Sequence, residues 1–164
     1  MRKVFLIFLC VLTSGTSYSS ASGPNLIDKS HFAFIHIRSG LQINYDSDIK
    51  KISDVLGKPM ISFDRPMPNR ARYKKYTWDG LELSVLPDNE IIIYIRVTNR
   101  DFKTKDGVVI GEKMNGLIRI YGPPAHQRKN YLEFNYSDVS ETWGLGFTSY
   151  DSGVISEIEI GRAD

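Results

Sequence analysis

The chain has 164 residues, 41% of them hydrophobic and 24% charged, a length that suits one domain or two small repeats sharing a core. Its 21 basic and 19 acidic side chains give a formal net charge of +2. Setting aside Arg2 and Lys3 with an N-terminal leader leaves 19 of each, which withdraws support for nucleic-acid binding.

The leader is read from Met1-Arg2-Lys3, a basic start, followed by an apolar run from Val4 to Leu12. That run is too short to cross ~30 Å of bilayer hydrocarbon as a helix, and it has signal-peptide length. Small residues at Ser19 and Ala21 place cleavage before Ser22, so residues 1–21 are expected to be a signal peptide. The mature protein is then periplasmic or secreted by bacterial export, without stable membrane insertion. The only cysteine, Cys10, leaves with the leader, and the bulky Ile7-Phe8-Leu9 before it argues against a lipid anchor. A cysteine-free mature chain has no disulfide, thiolate nucleophile or thiolate metal site.

Residues 22–30 form a flexible lead-in around Gly23-Pro24. His31 to Ile37, rich in aromatic and β-branched residues, predicts a strand, and Leu41 to Ile43 follows as a short extended piece. Asp46-Ser47-Asp48 offers caps for a helix whose apolar residues Ile49, Ile52, Val55 and Leu56 share one face. Gly57 and Pro59 stop that helix. Met60 to Arg70, with Pro66 and Pro68, reads as a loop. Strands are expected at Arg72–Trp78, Leu81–Leu86 and Glu90–Thr98, with Asp79-Gly80 as a tight hairpin turn.

From Asp106 onward the order recurs. Met114, Leu117, Ile118 and Tyr121 fall on one helical face before Gly122-Pro123-Pro124, although Gly116 weakens this helix by about 1 kcal/mol relative to alanine. Strands are then expected at Tyr131–Tyr136, Trp143–Tyr150 and Val154–Ile160, the last two joined by Asp151-Ser152-Gly153. Gly57 to Trp78 and Gly122 to Trp143 both span 21 residues, which puts the two tryptophans at equivalent places. The expected fold is α+β: two tandem helix-plus-β-meander repeats, 31–98 and 99–162, forming a curved antiparallel sheet with helices on one face. Trp78 and Trp143 are expected to pack beneath the helices, with the open sheet face as the other possibility.

The lead-in Gly107-Val108-Val109-Ile110-Gly111, the helix ending at Tyr121-Gly122-Pro123-Pro124 and the strand at Trp143-Gly144 together resemble two related groups. These are the tandem-repeat β-lactamase-inhibitor-like fold and the small bacterial envelope domains of the SmpA/OmlA type. The resemblance covers roughly His31 to Gly161. It implies helix–meander units that bind proteins on the sheet side and carry no catalytic activity. The outer-membrane members are usually lipoproteins and the inhibitor members carry disulfides, so the missing lipobox and cysteines leave the target open.

Catalysis finds no motif: no Gly-x-Ser-x-Gly elbow, phosphate loop or zinc helix is present. His31 and His36 lie five apart, on opposite faces of a strand, so they cannot share a metal from it; neither metal nor cofactor is expected. Glu157 and Glu159 share one strand face and are expected to point at solvent. The loops after the two helices carry Arg70, Arg72, Tyr73, Lys74 and Tyr76 in one half and Arg128, Lys129 and Tyr131 in the other. Placed on related edges of one sheet, they predict a basic, tyrosine-bearing rim that meets another protein, an acidic one. Tyr94 is the expected anchor on the exposed face. These residues describe an exported, non-catalytic binding module of inhibitor or immunity type, with an envelope-assembly factor as the alternative. A hydrolase built on the scattered carboxylates is the reading from a different class.

Overall fold

The structure, a computed structural model, describes residues 27–63, 72–137, 142–150 and 153–162. The expected signal peptide at 1–21, most of the lead-in, Arg70 and the first two residues of the 151–153 turn lie outside the described residues.

The described elements run β1 (Phe34–His36), β2 (Gln42–Ile43), α1 (Ile49–Leu56), β3 (Met60–Phe63), β4 (Lys74–Trp78), β5 (Leu81–Val85), β6 (Ile92–Val97) and β7 (Phe102–Thr104). They continue as α2 (Leu117–Tyr121), β8 (His126–Arg128), β9 (Tyr131–Ser137), β10 (Thr142–Ser149) and β11 (Ile155–Arg162). Short 3-10 turns precede β1 and α2. Eight strands form one antiparallel sheet in the order β3-β4-β5-β6-β11-β10-β9-β8, and β2-β1-β7 form a second sheet of three. Among the described residues no helix is long and apolar enough to cross a membrane.

The first helix forms where its caps predict. The Asp48 carboxylate accepts from the Lys50 amide at 2.7 Å, and Gly57, at φ 86°, closes the helix through its N–H to Ser53 O at 2.9 Å. Ile52 is buried, while Val55 of the same apolar stripe stays 46% exposed. The second helix is weaker. It has no side-chain cap at either Lys113 or Gly116, so Met114–Gly116 tightens into a 3-10 turn and only five residues stay α-helical.

The expected α+β fold of two tandem helix-plus-β-meander repeats is overturned. The molecule is mostly β, its two helices are short, and one large antiparallel sheet dominates it. The tryptophans are not equivalent either. Trp78 ends β4, the second strand from one edge of the large sheet, whereas Trp143 opens β10, the third from the other edge. Their equal distance from the helix stops is a coincidence of loop lengths. Residues 64–73 separate β3 from β4, but only Lys129 and Asn130 separate β8 from β9. Three strands were also missed: β3, read as loop, together with β7 and β8.

Alternation divides the large sheet into two faces. Inward go Tyr76, Trp78, Leu81, Leu83, Ile95, Val97, Ile158, Ile160, Leu145, Phe147, Leu132 and Phe134. They join Ile52 of α1, Leu117 and Tyr121 of α2, and Phe34, Ile43 and Phe102 of the small sheet in one cluster. Both tryptophans are buried there: Trp78 Nε1–H donates to the Gly57 carbonyl at 2.8 Å, and Trp143 stacks on Tyr45 with centroids 5.1 Å apart. Tyr121 packs on Phe134 and Phe147 at 5.1 and 5.6 Å, and its hydroxyl meets buried Thr104 Oγ1 at 3.0 Å. Replacing fully buried Phe147 by alanine is expected to cost about 3–5 kcal/mol of unfolding free energy, read by urea denaturation.

Candidate functional site

The outward face of the large sheet carries a polar ladder. Cross-strand register aligns Met60, Thr77, Glu82, Arg96, Glu159, Gly146, Glu133 and His126 in one row across all eight strands. The next row brings Lys75, Ser84, Tyr94, Gly161, Gly144 and Asn135 together. Opposite charges and hydrogen-bonding groups thus face one another on neighbouring strands, the arrangement that stabilises a sheet.

Glu82 is the first node, with Lys75 Nζ at 3.1 Å and Arg96 Nη2 at 3.0 Å. Arg96 Nη1 reaches Glu157 at 3.6 Å. Glu159 is the second node: Tyr94 donates to it at 2.5 Å and Tyr131 at 3.1 Å, and Tyr131 also reaches Glu133 at 2.9 Å. Three glycines make room for this. A Cβ on Gly146 would lie 2.6 Å from the Tyr131 hydroxyl and 2.9 Å from Glu159 Cγ, and one on Gly144 would meet Glu133 at 3.1 Å. On Gly161 it would meet the Tyr94 ring at 3.1 Å. The side chains therefore lie flat over bare backbone. Glycines inside a strand commonly mark such a close approach.

Burial is the main influence on protonation here. It raises the Tyr94 and Tyr131 hydroxyls, and their hydrogen bonds to carboxylates raise them further, so both remain donors. Burial also raises Glu157, while Arg96 pulls the other way. For Arg96 burial opposes the charge, but Glu82 and Glu157 more than offset it. Arg96 Nε and Asn135 Oδ1 are shielded from solvent without a hydrogen-bond partner.

The structure separates the expected site residues. Tyr94 and Tyr131 do reach the open face, where carboxylates already engage them. Tyr76 is only 5% exposed and stacks on Trp78 in the core. Lys74 shares its inward side of β4, with the ammonium 4.8 Å from the Tyr76 ring centroid. Tyr73 is half-buried, Arg72 is exposed with its guanidinium 4.8 Å from the Phe63 ring centroid, and Arg70 lies outside the described residues. Arg128 and Lys129 are exposed on the β8–β9 hairpin. Since β4 and β9 are the second and seventh strands of eight, five strand spacings, about 24 Å, separate the two basic groups. The single rim becomes two, with the carboxylate ladder between them. Glu157 and Glu159, expected to point at solvent, are partly buried members of that ladder.

The histidines have local partners: His31 Nδ1 is 2.7 Å from Asp106, and His36 Nδ1 is 2.7 Å from Ser39 Oγ. Among the described residues no group of three or more His, Cys, Asp or Glu is placed to hold a metal. Sequence reasoning missed β3. Met60 is 68%, Ile61 48% and Phe63 52% exposed on the outermost strand of the sheet. The apolar Met60-Ile61-Ser62-Phe63 run was a strand signal, masked by the prolines that follow it.

No family model and no curated protein matches the chain. Among solved structures, the crystal structure of a DUF4309 family protein, YjgB, from Bacillus subtilis is similar over 76% of this chain and 84% of that one. Identity is 18% and the TM-score 0.40, too loose a likeness to carry an argument about fold or function.

Two outcomes test the ladder. Gly146→Ala should cost about 1–3 kcal/mol by forcing Tyr131 and Glu159 aside, and adding Tyr131→Phe should restore part of the loss. Thermal melts that leave Gly146→Ala at parent stability would contradict the packing. A carboxyl raised in the folded state contributes stability that is full below its unfolded value and lost as pH rises through its folded value. Glu157 is such a group. The melting temperature of Glu157→Gln relative to the parent should therefore climb between pH 4 and pH 7.

Proposed function

We propose that this chain is an exported, non-catalytic protein-binding module of inhibitor or immunity type, whose partner adds a strand at the β3 edge. One observation carries the reading: the two edges of the large sheet are built differently. At one end β8 is His126-Gln127-Arg128, polar and charged as protected edges are. At the other, β3 is Met60-Ile61-Ser62-Phe63, uncharged, with all four residues exposed. An apolar edge of this kind presents unpaired backbone groups and side-chain contacts to an incoming extended segment.

Charge narrows the partner. Arg72 and Lys74 stand beside β3 and are placed over the Phe63 and Tyr76 rings. Neither forms an ion pair with a carboxylate among the described residues. A partner strand with apolar residues at alternate positions and acidic flanks satisfies both the edge and its cations. The open face suits this role less well, because its tyrosines and glutamates already hold one another. The export component of the reading rests on the basic start and the apolar run from Val4 to Leu12.

A photocrosslinker at position 61 should trap a partner from envelope extract, whereas one at position 127, on the opposite edge, should not. Arg72→Glu with Lys74→Glu, or Ile61→Lys with Phe63→Lys, should lower recovery at least tenfold with a near-unchanged melting temperature, since these side chains lie at the surface or the rim. Adducts only from position 127, or recovery indifferent to both variants, would overturn the edge assignment.

A further inference from the structure

At the end of the sheet opposite β3 lies a cleft of about 560 Å³ between the turn leading into α2 and the β8–β9 hairpin. Its floor is apolar, made by Met114, Ile118 and Leu132, and its rim carries Lys113, Arg128 and Lys129. Met114 and Leu132 are 9% and 6% exposed, so they belong to the core, while Ile118 is 46% exposed and turns its apolar surface to the opening. Ile118 is also the residue of the second helix's apolar stripe that the core leaves uncovered.

Backbone bonds hold both walls. Met114 N–H donates to Gly153 O at 2.9 Å, and Lys113 bridges to Val154, which pins the 3-10 turn to the β10–β11 connection. Ser149 N–H donates to Asn130 O at 2.9 Å, which pins the hairpin turn to the end of β10. The cleft is thus preformed by tertiary hydrogen bonds. No carboxylate lines it among the described residues, and none of the three rim cations is in an ion pair there.

We infer that this cleft is a binding site for a small amphipathic organic anion, a molecule with an apolar body and one carboxylate or sulfonate group. The volume falls within the roughly 300–1,000 Å³ usual for small-molecule sites. Three cations without a counter-carboxylate among the described residues select negative charge, and a floor of methionine, isoleucine and leucine excludes a bare hydrated anion as the matching ligand. Asn115, Gln127 and Asn130 supply amide groups around the same opening. The site shares no residue with the β3 edge and stands whether or not that edge binds a protein.

The test is a fluorescence titration of the full chain with 1-anilinonaphthalene-8-sulfonate, paired with its uncharged relative N-phenyl-1-naphthylamine. Saturable one-to-one binding of the sulfonate is expected, weakened at least tenfold by Arg128→Glu with Lys129→Glu and by raised salt. The uncharged probe should bind at least tenfold more weakly than the sulfonate. A second variant, Ile118→Asp, should also weaken the sulfonate, while Ile61→Lys on the distant β3 edge should not. A cooperative thermal melt of each variant confirms that the probe reports a folded protein. Non-saturating binding, equal affinity for the two probes, or loss on Ile61→Lys rather than on the cleft variants would overturn the assignment.

Discussion

Antiparallel pairing of β6 with β11, from Val97 opposite Ile158 to Tyr94 opposite Gly161, joins the first four strands of the large sheet to the last four. Because alternate side chains point to opposite faces, this one register sets both sides of the molecule. Inward it brings Ile95 beside Ile160, in the centre of the core. Outward it sets Arg96 beside Glu159 and stands Tyr94 over Gly161. A slip of one residue would exchange the faces, burying the glutamates and exposing the isoleucines.

The polar ladder is a consequence of that register. Its carboxylates and cations are partly withdrawn from water, which is tolerable only while each is paired. Glu82 and Glu159 act as nodes because each accepts from two other strands, Glu82 from its neighbours β4 and β6, and Glu159 from its neighbour β6 and, across β10, from β9. The glycines of β10 and β11 are the other requirement, since only bare backbone lets Tyr131, Glu133 and Tyr94 lie close enough to the sheet. The face is a brace before it is anything else.

Those peripheral features differ in chemistry because the two ends of the sheet differ in sequence. The β3 end is apolar with cations standing over aromatic rings, and the β8 end is polar with cations around an apolar cleft. The single basic rim expected from the sequence required the two basic loops to be neighbours. The strand order places them near opposite edges.

Local signals were legible wherever the physics is local. Asp48 and Gly57 delimit α1 because capping involves residues within one turn. Asp79-Gly80 closes the β4–β5 hairpin because a two-residue turn of this kind needs positive φ, and Gly80 has it at 70°. Alternation on β11 was visible for the same reason. The sequence by itself thus determined most strands, the first helix and the division of β11 into Ile158 and Ile160 on one side and Glu157 and Glu159 on the other. Tertiary structure alone decided that Trp78 and Trp143 occupy non-equivalent strands, that Met60–Phe63 is an edge strand, and that Glu159 sits between two tyrosines. Each depends on which strands become neighbours, and that is settled by burial of the whole apolar face, a long-range sum that no window of sequence contains.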